Sequence, residues 1–375
     1  MEPNVYMDFL ANGAAQGEVA QNIQVNGRLD PAMLRPYIGR DGASYITVCK
    51  HGADPKDPKS YQSIRVNSGA TLRREEWQYL DEAVLNVSRY RLGGIADLEA
   101  NGLVYNLNNA MGTTVLEYHD VSDAFEAELT MDGVTRSKGD RVNFGAKYLP
   151  IPIIHVDYEI NARVLAASRS LGNALDTTQA EVAARKVMEK IEKMMFTGET
   201  YSFGGGTIYS LVNHPHRNPV TLTVNWDDST STSSGDPVIT GAKIIQDVLA
   251  MKQASIDAYH YGPWMLYIPT AYETVLDSDY DTTTPGTTIR ERIMKIEGIK
   301  GIKVIDVLAA NNVLLVQMTP DVVRLVKGMA IQNVEWQTEG RFINKYKVMT
   351  IQVPQVRSDY NQKSGIVHLA PAPRP

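Results

Sequence analysis

The sequence predicts an α+β protein organised around one long helix. Three observations carry that reading. Within residues 177–198 the apolar residues Ala180, Ala183, Ala184, Val187, Met188, Ile191, Met194 and Met195 recur at three- and four-residue spacing, which marks one buried helical face. Ahead of it, residues 113–148 read as a charged β-hairpin, with turn signals at Asp132-Gly133 and Lys138-Gly139-Asp140. Behind it, an α/β block leads into a strand-rich return to the C-terminus.

A chain of 375 residues can bury a large core and hold more than one structural unit. Its 43% hydrophobic and 21% charged content is that of an ordinary soluble protein. No apolar run approaches the roughly 18 residues that a bilayer requires, and the first residues, MEPNVYMDFL, lack the basic-then-apolar layout of a secretory signal. The single cysteine, Cys49, sits in the apolar run YITVC, where it reads as a small buried hydrophobe in a reducing cytoplasm. The net charge of −6 argues against a dedicated nucleic-acid binder but not against contact with confined DNA.

Taken in order, residues 1–70 are broken by Pro31, Pro36, Pro55, Pro58 and repeated glycines, with one strand-like stretch at 45–49. The aromatic and apolar residues Tyr6, Phe9, Leu10, Tyr37 and Ile38 make this segment an arm that lies on another surface. A helix follows from Thr71 as cap, with Glu75 and Glu76 early, Trp77, Leu80, Val84, Leu85 and Val87 as its stripe, and Gly93-Gly94 as its stop. The hairpin over 113–148 has few bulky residues for any one core. It is expected to project from the body and to need a partner surface, because isolated hairpins are marginal in water. Pro150 and Pro152 end it, and a helix over 158–170 comes next.

The long helix then spans about 33 Å at about 1.5 Å per residue. Thr177 or Thr178 caps it and Gly198 closes it, with Glu181–Arg185 and Glu189–Lys193 as pairs on its wet side. In the α/β block, TLTVNW reads as a strand and residues 227–236 as a polar loop. A helix follows with Ile244, Ile245, Val248, Leu249 and Met251 inward, and PWMLYIP is a buried strand. In the return, Gln337 to Arg341 form a turn between two strands, Pro354 marks an edge or bulge, and APAPRP is a proline-rich stop.

Candidate chemistry is thin. Gly204-Gly205-Gly206 lacks the Lys-Ser/Thr of a phosphate loop and reads as a flexible domain junction. His214 and His216 flank a proline with no third ligand nearby, so they read as a surface turn. The acidic loop from Asp227 to Asp236 does not match calcium spacing. No nucleophile elbow, HExxH helix or CxxC pair is present. No catalytic residue, metal or cofactor is therefore assigned, and an enzyme without a recognisable motif is the distant alternative.

The order of arm, acidic-start helix, hairpin, long helix, α/β block and β return resembles the major capsid proteins of tailed bacteriophages. These have the HK97-like fold shared by encapsulin shell proteins. LRREEWQYLDEAV is similar to the first helix of the encapsulin-like branch, AARKVMEKIEKMMFTGE to its spine helix, and GPWMLYIPTAYETVL to a strand and helix of its axial domain. The pieces span about Leu72 to Leu369, and the likeness is one of order and character rather than of signature residues.

The resemblance implies an N-terminal arm and first helix over 1–111 and an extended loop over 112–157. It implies a peripheral domain over 158–203 and 331–375, and an axial domain over 204–330. It implies many copies of the chain in hexamers and pentamers, closing into an icosahedral shell around double-stranded DNA in the host cytoplasm. Portal, scaffolding or decoration proteins are further partners in such particles. The intersubunit contact candidates are Phe125, Arg136, Lys138 and Arg141 on the loop, with Glu339 and Arg341 on the C-terminal turn. About 70 residues precede Leu72, and this favours a phage capsid over an encapsulin that encloses protein cargo. No removable scaffolding segment is evident. Lys138 and Lys147 lie on the loop without any chemical mark of a cross-link.

Overall fold

The computed structural model describes residues 35–49, 57–66, 72–91, 93–108, 110–121, 131, 144–171, 177–222, 224–227, 239–280, 286–339, 342–359 and 361–371. Strands β1 (Tyr37–Ile38), β2 (Ser44–Cys49), β3 (Tyr61–Val66) and β4 (Leu72–Arg73) form a sheet in the order β3-β2-β1-β4. The irregular reading of this segment is thus corrected. Ser44 to Cys49 pair antiparallel with Val66 to Tyr61, and Ile46, Val48 and Val66 close a small core of their own. Only three buried side chains carry it, which is too weak a pattern to stand out beside four prolines.

Helix α1 (Arg74–Arg91) starts three residues later than Thr71, because Leu72 and Arg73 are taken into the sheet. The Arg73 backbone N–H donates to the Glu76 carboxylate at 2.8 Å, one half of a capping box. Helix α2 (Gly93–Ala100) begins at the two glycines that read as a stop. A Cβ on Gly94 would lie 2.4 Å from the Phe196 ring, so the glycine serves a close approach of helices rather than a chain end.

Next come β5 (Val104–Asn106), β6 (Val115–Val121), β7 (Phe144–Pro150) and β8 (Ile154–Asn161), followed by helices α3 (Ala162–Leu171) and α4 (Thr178–Phe196). Residues 158–161 are strand rather than helix, paired with residues of the C-terminal return from Ile343 to Tyr346. The alternation in IHVDYEIN is the signal that a helical reading overrides. In α4 all eight predicted apolar residues are buried, and Gly198 closes the end at φ +78°. The surface pairs differ from the expected ones. Thr177 Oγ1 donates to Glu181 at 2.9 Å, and Glu189 pairs with Lys186 at 2.9 Å and Arg185 at 3.8 Å.

The chain continues through β9 (Tyr201–Phe203), β10 (Gly206–Ile208), β11 (Asn218–Thr221), α5 (Gly241–Asp257), β12 (Trp264–Pro269), α6 (Glu273–Asp277) and α7 (Ile289–Met294). It ends with β13 (Ile299–Ile305), β14 (Val313–Gln317), β15 (Val323–Glu339), β16 (Ile343–Val356) and β17 (Ile366–Ala370). Gly204 and Gly205, both at positive φ, are the turn of the β9–β10 hairpin and not a flexible junction. The strand read in TLTVNW lies earlier, as β11. In α5, Leu249 faces outward at 46% exposure, while Ile244, Val248 and Met251 are buried.

Two larger sheets organise the body. One runs β5-β15-β16-β8 and the other β11-β17-β14-β12-β13. The last strand, β17, pairs with β14 and β11 in the second sheet, whereas the sequence reading groups it with the long helix. One apolar core joins α1 and α4 to both sheets, through Tyr346 and Val348 on one side and Tyr267 and Val316 on the other. No described helix is long and apolar enough to cross a membrane.

Ile191 is fully buried in this core, while Lys190 is exposed and paired with Glu199 at 2.5 Å. Ile191→Ala is expected to cost about 2–5 kcal/mol, and Lys190→Gln about 0–1 kcal/mol. Equal shifts in urea-unfolding midpoint for the two variants would disprove this orientation of the helix.

Candidate functional site

Among the described residues the root of the β6–β7 hairpin brings a buried ion pair and two histidines to one hollow. The strands pair antiparallel from Val115↔Pro150 to Val121↔Phe144. Phe125, Arg136, Lys138 and Arg141 lie outside the described residues. Glu339 is the last residue of β15, with its backbone opposite Ile343, and Arg341 lies outside the described residues. Strand pairing therefore extends over Gln337, Thr338 and Glu339, which the sequence assigns to a turn.

Three contacts fix the hairpin root. The Asp120 carboxylate, 4% exposed, is ion-paired with Lys147 on the facing strand. Lys147 Nζ also donates to Ser358 Oγ at 3.2 Å, which ties the hairpin to the segment after β16. Gly206 lies so close to β7 that a Cβ there would stand 2.2 Å from the Tyr148 carbonyl oxygen. Below the root, Leu149, Ile151, Ile208, Met329, Val334, Ile351 and Val353 share a core, with Leu116 and Tyr118 packed against it.

His214 and His216 lie in the same hollow, their ring centroids 5.6 Å apart. His214 Nδ1 accepts from the His216 backbone amide at 3.3 Å, so the turn itself uses one ring nitrogen. Burial, followed by the charges of His216 and Lys147, pushes the His214 imidazole down to about 4. His368, bonded to Asn312 at 2.8 Å and Arg217 at 3.3 Å, is also pushed down to about 4, by burial and then by Arg217. Among the described residues no group of three or more His, Cys, Asp or Glu is placed to hold a metal. Asp120 and Ser358 escape sequence reasoning. The available signal was an acidic residue at the end of the LEYHD run, opposite a lysine-bearing strand.

A family model matches residues 67–369 and is described as "Family of unknown function (DUF6260)". The chain belongs to this family. No curated protein matches it in sequence. Among solved structures it is similar to the virus-like particle from Pyrococcus furiosus, at 18% identity and TM-score 0.57, over 79% of this chain and 99% of that one. The capsid of Myoviridae phage XM1 aligns at 11% identity and TM-score 0.55, over 74% and 91% of the two chains. The capsid of a native GTA particle aligns at 10% and 0.51, over 85% and 96%. This DUF6260 member therefore has the HK97-like capsid fold.

Two expectations follow. Lys147→Met strands a buried carboxylate, whereas Asp120→Asn leaves a lysine that can turn to solvent. The first should cost about 2–3 kcal/mol and the second less, and denaturant unfolding of both variants checks the order. The second concerns acid. His214 and His368 have folded values below the ordinary 6.5, so the unfolded chain takes up their protons first. Their contribution to stability is full above pH 6.5 and is lost as the pH drops towards 4, by at most about 3 kcal/mol for each histidine. Melting temperature should drop across that window, and by less in His214→Phe. An identical pH profile for the variant would rule out the His214 contribution.

Proposed function

We propose that the chain is the building block of a closed icosahedral shell, assembling as hexamers and pentamers around double-stranded DNA. The single observation that carries this reading is the likeness of fold to the capsid of Myoviridae phage XM1, over 91% of that chain at TM-score 0.55. In this reading the β6–β7 hairpin belongs to an extended loop, over 112–157, that lies on a neighbouring copy. Residues 1–111 form the arm and first helix, 158–203 with 331–375 the peripheral domain, and 204–330 the axial domain. Phe125, Arg136, Lys138, Arg141, Glu339 and Arg341 are its candidate contacts between copies. The role is mechanical and needs no cofactor. Contacts of modest strength suffice, because closure repeats each of them many times.

The second reading is a shell around protein cargo, favoured by the Pyrococcus furiosus particle, whose TM-score of 0.57 stands above the 0.55 of the phage XM1 capsid. Negative-stain microscopy of the purified protein should show closed particles. Nuclease-protected DNA inside them supports the genome reading, and co-purifying protein without DNA supports the cargo reading. Replacing residues 122–143 by an Asn-Gly turn should leave a folded subunit that forms no particles. Closed shells from that variant would refute the proposed loop contact.

A further inference from the structure

At the end of the β15–β16 ribbon two arginines share one face of the sheet. Arg324 pairs across the strands with Gln355, and Arg357 follows two residues beyond Gln355, with its backbone N–H donating to the Val322 carbonyl at 2.8 Å. Each guanidinium lies over a tyrosine ring, Arg324 over Tyr105 at 4.5 Å and Arg357 over Tyr118 at 5.6 Å. Arg324 Nε donates to Gln355 Oε1 at 2.5 Å. Both arginines are half-buried, and neither forms an ion pair among the described residues. Burial and then the charge of Arg357 push the Arg324 guanidinium below its ordinary value, so the two cations feel each other.

Arg357 Nε is buried and makes no hydrogen bond among the described residues, while the fully buried Gln355 meets both Arg324 and the Tyr118 hydroxyl. Tyrosine faces reduce the cost of desolvating a guanidinium but cannot accept its in-plane N–H groups. Among the described residues neither guanidinium has a carboxylate within ion-pair distance, and a carboxylate fits its fork in a bidentate way.

We propose that Arg324 and Arg357 form a receptor for a carboxylate side chain of a second copy of this chain. The inference rests on the shell reading above and names one of its contacts. A carboxylate is favoured over a nucleic-acid backbone because of what surrounds the pair. Asp120, Asp321 and Asp359 line a hollow of about 210 Å³ together with Arg357, Ser358, His119, His260 and Lys363. A single carboxylate can enter beside them, whereas a run of phosphates would meet like charge. The chain also has acids to supply, 43 against 37 basic residues. Once desolvated between copies, such a pair contributes to partner orientation as much as to affinity.

The test uses Arg357→Lys, which places an amine at this position, in assembled particles grown from equal amounts of ¹⁴N- and ¹⁵N-labelled protein. A zero-length carbodiimide then joins amines to adjacent carboxylates. The expected product is a mixed-isotope peptide pair linking position 357 to an Asp or Glu of another copy. Links only within one copy, to Asp120, Asp321 or Asp359, or no link at all, would overturn the proposal. So would coupling that appears only after nuclease treatment, because nucleic acid would then occupy the site. In parallel, Arg324→Gln/Arg357→Gln should lower the assembled fraction about tenfold, a change of about 1.4 kcal/mol in association, while subunit circular dichroism stays unchanged. Wild-type shells together with equally abundant, equally salt-resistant variant shells would sink this contact and leave the shell reading intact. Wild-type protein that never forms particles would sink the shell reading itself.

Discussion

The apolar face of α4 is the constraint on which the rest of the structure depends. Its residues from Ala180 to Phe196 share one core with α1, with β8 and β16 on one side and with β12 and β14 on the other. The two main sheets have no strand in common, and this helix is one of the elements that join them, together with α2, which packs on both β13 and β15. Small residues on the face matter as much as large ones. Ala183 and Ala184 are buried at 3% and 0% exposure, and Gly94 of α2 meets the Phe196 ring. A larger side chain at any of these positions would separate elements that a close-packed interior cannot let drift.

The helix also carries a charge into that core. Glu192 is 8% exposed, and its Oε1 accepts from the Gly94 backbone N–H at 3.3 Å at the first turn of α2. The positive end of α2 suits a carboxylate there. Burial nevertheless raises the Glu192 carboxyl above its ordinary value, more than the amides of Gly94 and Gly93 lower it, with Asp306 and Asp97 adding to the rise. Asp97, on α2 itself, is raised by burial too, against the pull of Lys303 at 3.7 Å. One joint between the long helix and its neighbours is therefore polar.

The long helix was legible because one residue in three or four repeats over five turns, and no tertiary contact has to be known to read it. Elements that depend on partners were not. The strand at Ile154–Asn161 takes its state from pairing with β16, and the N-terminal sheet from a register that joins Ser44 to Val66 across a gap. Gly93-Gly94 and Gly204-Gly205-Gly206 stand out in the sequence, but their roles do not. A close approach to Phe196 and a tight hairpin both follow from neighbours remote in sequence. The hairpin itself was read correctly as a hairpin, but its Asp120–Lys147–Ser358 root was not, because Ser358 lies 211 residues from Lys147.

The titrating groups of this core oppose one another in sign. For Glu192 and Asp97 the folded value lies above the unfolded one, so their contribution is full below the ordinary carboxylate range and is lost as pH rises through the raised values. For His214 and His368 the folded value lies below the unfolded one, so stability is lost as pH falls beneath 6.5. The two sets also sit in different places. The carboxylates lie where α4 meets α2, whereas His214 lies at the hairpin root and His368 in the five-stranded sheet beside Asn312. Acid therefore acts first on the hairpin root and on the sheet that holds His368, whereas the joint at Glu192 and Asp97 is strongest in acid and loses that contribution as its carboxyls ionise. A change of pH in either direction does not load the molecule uniformly but selects which of its packed units gives way.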